Sequence, residues 1–337
     1  MKCKWDFCWR FLWGSSAWYI GDMEGRTVCM ISPLQITRKA LPSICLLLLA
    51  CAYASIAGEP TNELHFVFFT DVHARTEWDT PQALDWAAQA INEQTPDLIV
   101  GGGDYITEGF ESCADVLAPR WEAYFKFQQA LKAPVEAAIG NHDLVAAKPL
   151  GDGQPLADPR SVFRSKFGVE STYRSFDTNG YHFILLDPVE VSSGPLPYEG
   201  RMGESQIAWL RQDLAGVETS TPIVVVTHIP LKTGYFKESE VKGELPPPNR
   251  VVVNAGEVLE CFRGYDPILV LQGHLHVAEK LAMNEVLFVT GGAVCGQWWR
   301  GSWKGTPEGF YVIDLKGRGV EERYLTYGWK ARRPADQ

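Results

Sequence analysis

The chain has 337 residues and a formal net charge of −10; 46% of its residues are hydrophobic and 21% are charged. This composition provides a sizeable apolar core and excludes a globally disordered chain. No long run of Lys or Arg occurs, which argues against a dedicated nucleic-acid or membrane-surface patch. An acidic protein still binds a phosphate where metal ions provide the positive charge.

An export leader is the first element predicted in chain order. Residues 40–57 form an apolar run that ends in small residues, and Arg38 and Lys39 precede it. This pattern is typical of a secretory signal peptide, with an uncleaved membrane anchor as the alternative. The segment that ends at Cys51 also resembles a bacterial lipobox, so lipidation of Cys51 is a second alternative.

Residues 1–29 fit no leader, because they contain four tryptophans and make the charged part before the apolar run far too long. Our hypothesis is that translation starts at Met23 or Met30. We therefore predict a leader over residues 1–57, with a signal peptide at about 30–57, and a single domain over 58–337. The predicted location is periplasmic or extracellular, with membrane attachment only through the leader or a lipid at Cys51.

Cysteine usage does not indicate a thiol-based site. Five of the eight cysteines lie in the first 51 residues, and no CxxC spacing occurs. The cysteines in the body of the chain are Cys113, Cys261 and Cys295. A Cys-ligated zinc site and a disulfide framework are poor interpretations of this distribution, while one disulfide among these three stays open.

The body of the chain alternates apolar runs with helical patterns. The predicted strands are 64–70, 97–104, 134–143, 222–228 and 266–276. Residues 80–94 predict a helix with Thr80 as its N-cap and Pro81 at its first position. This alternation indicates an α/β domain whose sheets are covered on their faces. Polar residues follow the strands, where an open α/β fold places its site.

Other segments complete the predicted domain. Residues 173–177 and 181–187 predict a hairpin across Asn179-Gly180, and residues 276–327 are rich in strand patterns. Residues 230–250 form a long polar loop directly after a strand, and loops of this length are often functional.

Five short motifs follow the apolar runs. In chain order they are Asp71-x-His73, Gly103-Asp104, Gly140-Asn141-His142-Asp143, Thr227-His228 and Gly273-His274-x-His276. Each motif alone is weak, but five in matching contexts are strong evidence for one site. They contain five of the seven histidines. His65 and His182 lie within apolar strands and are predicted to be ordinary, partly buried histidines.

These residue types suit a pair of metal ions. Two ions about 3.5–4 Å apart clamp the attacking and leaving oxygens of a phosphoryl centre. Such a pair needs neutral imidazoles and a carboxylate that bridges, and the predicted ligands are Asp71, His73, Asp104, Asn141, His228, His274 and His276. Nitrogen and oxygen ligands without thiolates favour two divalent or trivalent ions of Fe, Mn, Zn or Co. His142 is left over as a proton donor to the leaving group or a hydrogen-bond donor to the phosphate.

Together the motifs resemble, one for one, the signature of the calcineurin-like metallophosphoesterases over residues 64–290. The resemblance implies a four-layer α/β/β/α sandwich of two mixed sheets flanked by helices. It also implies that a hydroxide bridging two metals attacks the phosphorus, that His142 engages the phosphate and that Asp143 orients His142. The implied ligands of one metal are Asp71, His73, Asp104 and His276, and those of the other are Asp104, Asn141, His228 and His274.

Departures from other branches narrow the resemblance. Thr107 stands where purple acid phosphatases have a tyrosine ligand, and GNHD replaces the GNHE of protein Ser/Thr phosphatases. The chain is most similar to the cyclic-nucleotide phosphodiesterase-like branch. The implied reaction is hydrolysis of a phosphodiester in a small phosphorylated substrate, such as a cyclic or linear nucleotide. The alternatives are a nonspecific phosphomonoesterase, a nucleotide pyrophosphatase or, from another class, an inactive metal-binding interaction module.

Some further residues have two interpretations. Trp298, Trp299 and Trp303 either form an aromatic wall for a flat ligand or fill the core, and packing is slightly favoured. Arg164 and Arg201 are candidates for phosphate contacts, although surface arginines are usually solvated. Asp187 is predicted to be structural. Glycines 101–103 lack the lysine of a phosphate-binding loop and are predicted to allow close packing around the metals.

Overall fold

The computed structural model describes residues 18–21, 27–31 and 62–331. The chain divides into two units, Met1–Pro60 and Thr61–Gln337. In the first, β1 (Trp18–Gly21) and β2 (Thr27–Ile31) pair as an antiparallel hairpin. Cys51 and nearly all of the predicted signal peptide lie outside the described residues, so the leader, its lipidation and the start site stay predictions. Among the described helices, none has the length and apolar character that a bilayer crossing requires.

The second unit alternates strands and helices. Its strands are β3 (Glu63–Phe69), β4 (Leu98–Gly101), β5 (Val135–Ala137), β6 (Arg174–Thr178), β7 (Tyr181–Leu185), β8 (Val189–Val191), β9 (Tyr198–Gly200), β10 (Pro222–Val226), β11 (Asp266–Gln272), β12 (Glu279–Met283), β13 (Val286–Thr290), β14 (Gly309–Lys316) and β15 (Gly319–Thr326). Its helices are α1 (Thr80–Glu93), α2 (Ala118–Ala130), α3 (Ser161–Phe167), α4 (Glu204–Leu214), α5 (Lys237–Val241) and α6 (Ala255–Cys261).

Two mixed sheets form the centre of this unit. One has the order β15-β14-β3-β4-β5, with β3, β4 and β5 parallel. The other has the order β12-β13-β11-β10-β7-β6, with its four inner strands parallel. The hairpin β8-β9 stands apart from both sheets. Because the inner strands of each sheet run the same way, their carboxyl ends meet at one edge.

The strand residues alternate between two apolar layers. Phe66 of β3 packs between the sheets, where its ring lies 5.8 Å from that of Phe183 on β7 in an edge contact. Phe69 faces the helices, and its ring lies 5.5 Å from that of Phe127 on α2. On the far side, Ile207 of α4 belongs to a cluster with strand residues of the second sheet. Both faces of each sheet are therefore covered, which explains the unbroken apolar runs and confirms the α/β/β/α sandwich.

Several boundaries differ from those predicted. Strands β4 and β5 end at Gly101 and Ala137, because the polar residues that follow leave the sheet to form the site. Thr80 is not the N-cap of α1: its hydroxyl donates to the carbonyls of Arg75 and Glu77, and Asp79 takes the cap position. The predicted loop over 230–250 contains the short helix α5.

His65 and His182 each bond to carboxylates, and neither is among the residues of the candidate metal cluster. The Nδ1 atom of His65 lies 2.6 Å from Asp314 Oδ1. His182 lies between two carboxylates, with Nδ1 2.7 Å from Asp177 Oδ1 and Nε2 3.0 Å from Asp213 Oδ2. Burial lowers the pKa of His182, but the hydrogen bonds to Asp213 and Asp177 outweigh it and raise this pKa above its ordinary value.

This arrangement predicts a pH-dependent stability. Because the folded-state pKa of His182 is raised, its contribution to the free energy of unfolding is fully present below about pH 6.5 and is lost as the pH rises through the folded pKa. We expect Asp213→Asn to lower Tm near pH 6, with a loss that shrinks toward pH 9.5. Thermal unfolding across this range measures it. Asp177→Asn should give the same pH pattern with a smaller amplitude, since Asp177 is exposed and its interaction with His182 is screened by solvent. A Tm loss that is independent of pH would contradict the prediction.

Candidate metal centre

The seven predicted ligands come together at the carboxyl ends of parallel strands from both sheets. Asp71 and His73 follow β3, Asp104 follows β4, and Asn141 follows β5 in a turn of 3-10 helix. The remaining three ligands are His228 after β10 and His274 and His276 after β11. All seven are at most 5% exposed.

One half of the centre is formed by His73, His276 and Asp71. The Nε2 atoms of His73 and His276 lie 3.2 Å apart, and His276 Nε2 lies 3.1 Å from Asp71 Oδ1. Two imidazole nitrogens that share one ion at ordinary bond lengths are about 3.0–3.4 Å apart. The spacing therefore fits a shared cation.

Asp104 links this half to the other. Its Oδ2 atom lies 3.1 Å from His228 Nε2 and 3.6 Å from His73 Nε2. Ligand atoms of Asp104, His228 and His274 all lie within 4.8 Å of one another. Asp104 is thus the carboxylate between the two histidine groups, the position that a bridging ligand requires.

Hydrogen bonds to backbone carbonyls fix which nitrogen each histidine presents. His228 donates from Nδ1 to Gly102 O at 2.8 Å, and His276 donates from Nδ1 to Gly296 O at 2.6 Å. Both rings therefore present Nε2 to a ligand. His274 donates instead from Nε2 to Asn249 O at 2.9 Å, which leaves its Nδ1.

The two carboxylates are fixed in the same way. Asp71 Oδ2 accepts hydrogen bonds from the Thr70 hydroxyl at 2.8 Å and from the backbone N–H of His274 at 2.9 Å. Asp104 Oδ1 accepts from the backbone N–H of His142 at 2.7 Å. One oxygen of each carboxylate is held, and the other, Asp71 Oδ1 or Asp104 Oδ2, faces the histidines.

Unpaired buried atoms show that the cluster fits metal ions. Asp71 Oδ1, His73 Nδ1, Asn141 Oδ1 and His228 Nε2 are buried and make no hydrogen bond. Asp71 Oδ1 and His228 Nε2 each have a neighbour at 3.1 Å, His276 Nε2 and Asp104 Oδ2 respectively, but without hydrogen-bond geometry. A buried polar atom without a partner costs free energy, and native structures avoid it unless a ligand satisfies the atom. Four such atoms on predicted ligands indicate a cation site, and the nitrogen and oxygen donors suit transition metals.

The charges in the cluster make metal binding compete with protons. Burial lowers the pKa of His274 to about 3, so this ring is neutral at physiological pH. Burial also lowers the pKa of His228, but the carboxylates of Asp104 and Asp71 outweigh it and raise this pKa to about 9. A metal at His228 therefore displaces a proton, and its affinity rises with pH.

The backbone at the ligands is strained. Five of them have left-handed φ angles: Asp71 at 54°, His73 at 46°, Asp104 at 58°, His274 at 72° and His276 at 57°. Residues other than glycine rarely adopt this conformation. Cross-loop hydrogen bonds hold it, for instance from the N–H of His73 to Asp104 O at 2.9 Å. Such strain clusters at functional sites, where the surrounding fold maintains it.

Two glycines allow the ligand loops to approach one another. A Cβ atom on Gly103 would lie 2.6 Å from Gly140 N and 2.9 Å from His228 Nδ1. A Cβ atom on Gly140 would lie 2.3 Å from Asp104 Oδ1. Gly103 also has a φ of 97°. The predicted role in close packing around the candidate ligands is confirmed for Gly103, whereas Gly101 packs against Tyr105 and Gly102 against Phe68 and Thr70.

His142 lies beside the cluster with its ring 4.8 Å from that of His73. The backbone N–H of Glu108 donates to His142 Nδ1 at 3.1 Å, so the ring proton is on Nε2. Burial lowers the pKa of His142 to about 4, which keeps the ring neutral at physiological pH. His142 is thus an N–H donor beside the candidate ligands.

Asp143 has a different place from the one that the resemblance implied. Its carboxylate accepts three backbone N–H bonds at 2.8 Å, from Asp104, Tyr105 and Gly140. It therefore fixes the loops that carry Asp104 and Asn141, while Glu108 orients His142. Sequence reasoning missed Glu108 because its contribution is a backbone amide, which any residue type provides.

The tryptophans that follow β13 divide between the two predicted roles. Trp299 is buried, and its Nε1–H donates to His73 O at 2.9 Å. Trp298 is partly exposed, and its ring lies 4.6 Å from that of His276. Trp299 therefore packs in the core, whereas Trp298 lies beside the candidate metal ligands. The ring of Trp303 lies 6.1 Å from that of Trp298.

The other candidates are engaged elsewhere. Arg164 pairs with Asp158, and Arg201 pairs with Glu199. Both arginines line one cavity together with Asp187. Asp187 is buried and bonds to the Thr172 hydroxyl at 2.6 Å, in agreement with its predicted structural role. Cys113, Cys261 and Cys295 are free thiols. Cys295 Sγ lies 3.8 Å from His276 Nδ1, a neighbour that the sequence did not indicate.

An α/β/β/α sandwich brings Asp, Asn and His side chains from both sheets into one buried cluster, which is the arrangement of a metal-binding protein. A family model described as calcineurin-like phosphoesterase matches residues 64–278, well over half of the chain. The chain belongs to this family.

Several known proteins resemble the chain at sequence identities below 30%. A protein of Rhodococcus erythropolis named "Probable cyclic nucleotide phosphodiesterase" is 27% identical over 235 residues, which are 65% of this chain and 67% of that protein. A dimetal phosphatase from Danio rerio has a TM-score of 0.56 at 14% identity, over 79% of this chain and 99% of the other. Purple acid phosphatase PPD1 from yellow lupin seeds has a TM-score of 0.51 at 15% identity, over 79% of this chain and 52% of the other. The two structures support the fold.

Proposed function

We propose that the protein hydrolyses phosphodiesters, with cyclic or linear nucleotides as the substrate class, and that it uses two metal ions. The observation that carries the proposal is the position of Asp104 Oδ2 between His228 Nε2 and His73 Nε2. A carboxylate between two histidine groups suits a pair of ions that shares it. The phosphodiesterase name of the Rhodococcus protein supports the choice of a diester.

The residues of the cluster have two roles in the proposed reaction, metal binding and donation of a hydrogen bond or a proton. When bound, the metal ions neutralise phosphate charge and supply a nucleophilic water near neutral pH. Asp71, His73, Asp104 and His276 would hold one ion, and Asp104, Asn141, His228 and His274 would hold the other. His142, with its proton on Nε2, donates a hydrogen bond to the phosphate or a proton to the leaving oxygen. We also propose that the protein acts outside the cytoplasm, on the leader pattern alone.

Hydrolysis of bis-p-nitrophenyl phosphate against p-nitrophenyl phosphate tests this function. The protein should start near Gly58, and each substrate should be assayed with Mn²⁺ and with a chelator. We expect metal-dependent cleavage that favours the diester, and two metal ions per chain by elemental analysis. Preference for the monoester would instead indicate a phosphatase. Two bound metals without turnover of either ester would indicate a narrow natural substrate or a binding module.

A further inference from the structure

A recess beside the metal centre is lined by two arginines, two tryptophans and a glutamine. Its volume is about 350 Å³, and its lining residues are Arg75, Trp78, Gln297, Trp298 and Arg300. We infer that this recess, here named the Trp298 recess, binds the nucleobase of a nucleotide whose phosphate lies at the metal centre. The inference rests on the proposed function and names the part of the substrate that lies away from the reacting phosphorus.

The recess adjoins the metal ligands through Trp298. The ring centroid of Trp298 lies 4.6 Å from that of His276 and 6.1 Å from that of His73. The same aromatic side chain therefore touches a ligand ring and lines the recess. An ester substituent attached to a phosphate at the ligands has only a short distance to cover before it reaches the recess.

The recess also adjoins the residues that hold His142. Arg75 donates from Nη2 to the Thr107 hydroxyl at 3.2 Å, and its guanidinium lies 3.5 Å from Glu108 Oε1. Glu108 is the residue whose backbone N–H orients His142. The recess thus borders both the cation site and the candidate proton donor, as expected of a site for the rest of a phosphodiester.

The chemistry of the walls favours a flat, electron-rich ligand. The guanidinium of Arg75 lies 4.7 Å from the Trp78 ring centroid, and that of Arg300 lies 5.6 Å from it. Indole faces and guanidinium planes both stack on nucleobases. No carboxylate is among the lining residues, although the chain carries a net charge of −10. Arg75 is mostly buried, and its guanidinium also pairs with Glu77 at 3.3 Å and Glu108 at 3.5 Å, which hold it in place beside Trp78.

The Trp298 wall is held in a fixed position. Trp298 and Trp299 have left-handed φ angles of 46° and 68°, a conformation that bulky residues rarely adopt. The Trp299 side chain anchors the turn to His73 O, and the N–H of Gln297 donates to Gly301 O at 2.8 Å. Backbone strain of this kind clusters at functional sites, and of the two tryptophans only Trp298 is partly exposed beside the recess. A rigid stacking face also loses little conformational entropy when a ligand binds.

Calorimetric titration of the metal-loaded protein with AMP and with ribose 5-phosphate tests the inference. The two probes share a phosphate and a ribose and differ in the base. We expect AMP to bind roughly 5- to 150-fold more tightly, which is the range for stacking one base. In Trp298→Ala this preference should vanish, and in Arg300→Ala it should decrease. Trp298→Phe should retain most of it and guards against a general disturbance of the loop.

Trp86→Ala is the matched control, because Trp86 is an exposed tryptophan on α1 whose ring contacts Trp329. It should leave the affinity ratio of the two probes unchanged. Equal affinity of the wild type for AMP and ribose 5-phosphate would overturn the inference, and so would an unchanged preference in Trp298→Ala. Turnover of bis-p-nitrophenyl phosphate in the same preparations separates the two proposals. Turnover without a base preference would contradict only the proposal that the Trp298 recess binds the nucleobase. A base preference without turnover would contradict only the proposed enzymatic function.

Discussion

Replacement of Asp104 by asparagine is expected to lower kcat for bis-p-nitrophenyl phosphate by more than about 100-fold, since even changes around metal ligands cost ~10–100-fold. The amide retains the oxygen that accepts from the N–H of His142, so the loop should stay folded. It removes the negative charge that lies between His228 and His73. Steady-state kinetics measures the loss, and elemental analysis should show fewer than two metals per chain.

Asp85→Asn is the matched control for this variant. Asp85 is an exposed aspartate on α1 that pairs loosely with Lys126. The same chemical change there should leave kcat, Tm and metal content unaltered. Full activity in Asp104→Asn, with unchanged metal content, would show that the bridging position is assigned to the wrong residue.

Replacement of His142 by alanine is expected to lower kcat by about 10²- to 10⁴-fold, the usual contribution of a general acid or base. The loss should be smaller for p-nitrophenyl esters than for a nucleotide diester, because p-nitrophenolate leaves without a proton and a ribose oxygen does not. Metal content should stay at the wild-type value, since the ring of His142 is not among the proposed ligands. The ratio of wild-type kcat to His142→Ala kcat, measured with each of the two substrates, gives this difference.

His65→Ala serves as the control, because His65 lies at the start of β3 and contacts Asp314. It should leave kcat for both substrates unchanged. An equal loss for good and poor leaving groups in His142→Ala would contradict proton donation. It would support hydrogen bonding to the phosphate, the other role open to this N–H.

The sequence predicted the fold and which residues meet in the buried cluster, because both follow from short-range patterns. An unbroken apolar run indicates a strand that is covered on both faces of its sheet. The first polar residue after such a run lies at the carboxyl end of the strand, at the edge of the sheet where the site forms. Asp71 and His228 could therefore be placed in one site although they are distant in the chain. Their spacing after the strands, together with the known signature, indicated which residues would meet.

Other features depend on backbone groups or on three-dimensional proximity, which residue types do not encode. Glu108 and Asn249 act through an amide and a carbonyl, so their side chains gave no signal. Asp143 had the expected residue type but bonds to three amides. Trp298 and Trp299 are adjacent and identical, and only their positions distinguish the one beside the ligands from the one in the core.

Strand ends were overestimated where glycines precede ligands. Glycines 101–103 continue the apolar pattern of β4, but the strand ends at Gly101 because the next residues turn toward the metal centre. The hydrophobic pattern predicts that such positions are buried, but it does not predict the direction of the backbone. The left-handed φ angles of Asp71 and Asp104 had no sequence signal either, since glycine is the residue expected there.

The tight approach of Gly103 and Gly140 to the neighbouring ligand loops has an evolutionary consequence. A methyl group on either glycine would displace a loop that belongs to a different strand, so the acceptable residues at one loop depend on those at the others. Such positions show strong epistasis, and neutral drift through single substitutions is closed to them. Grafting of one ligand loop from a relative into this chain should therefore fail more often than transfer of the loops as a set.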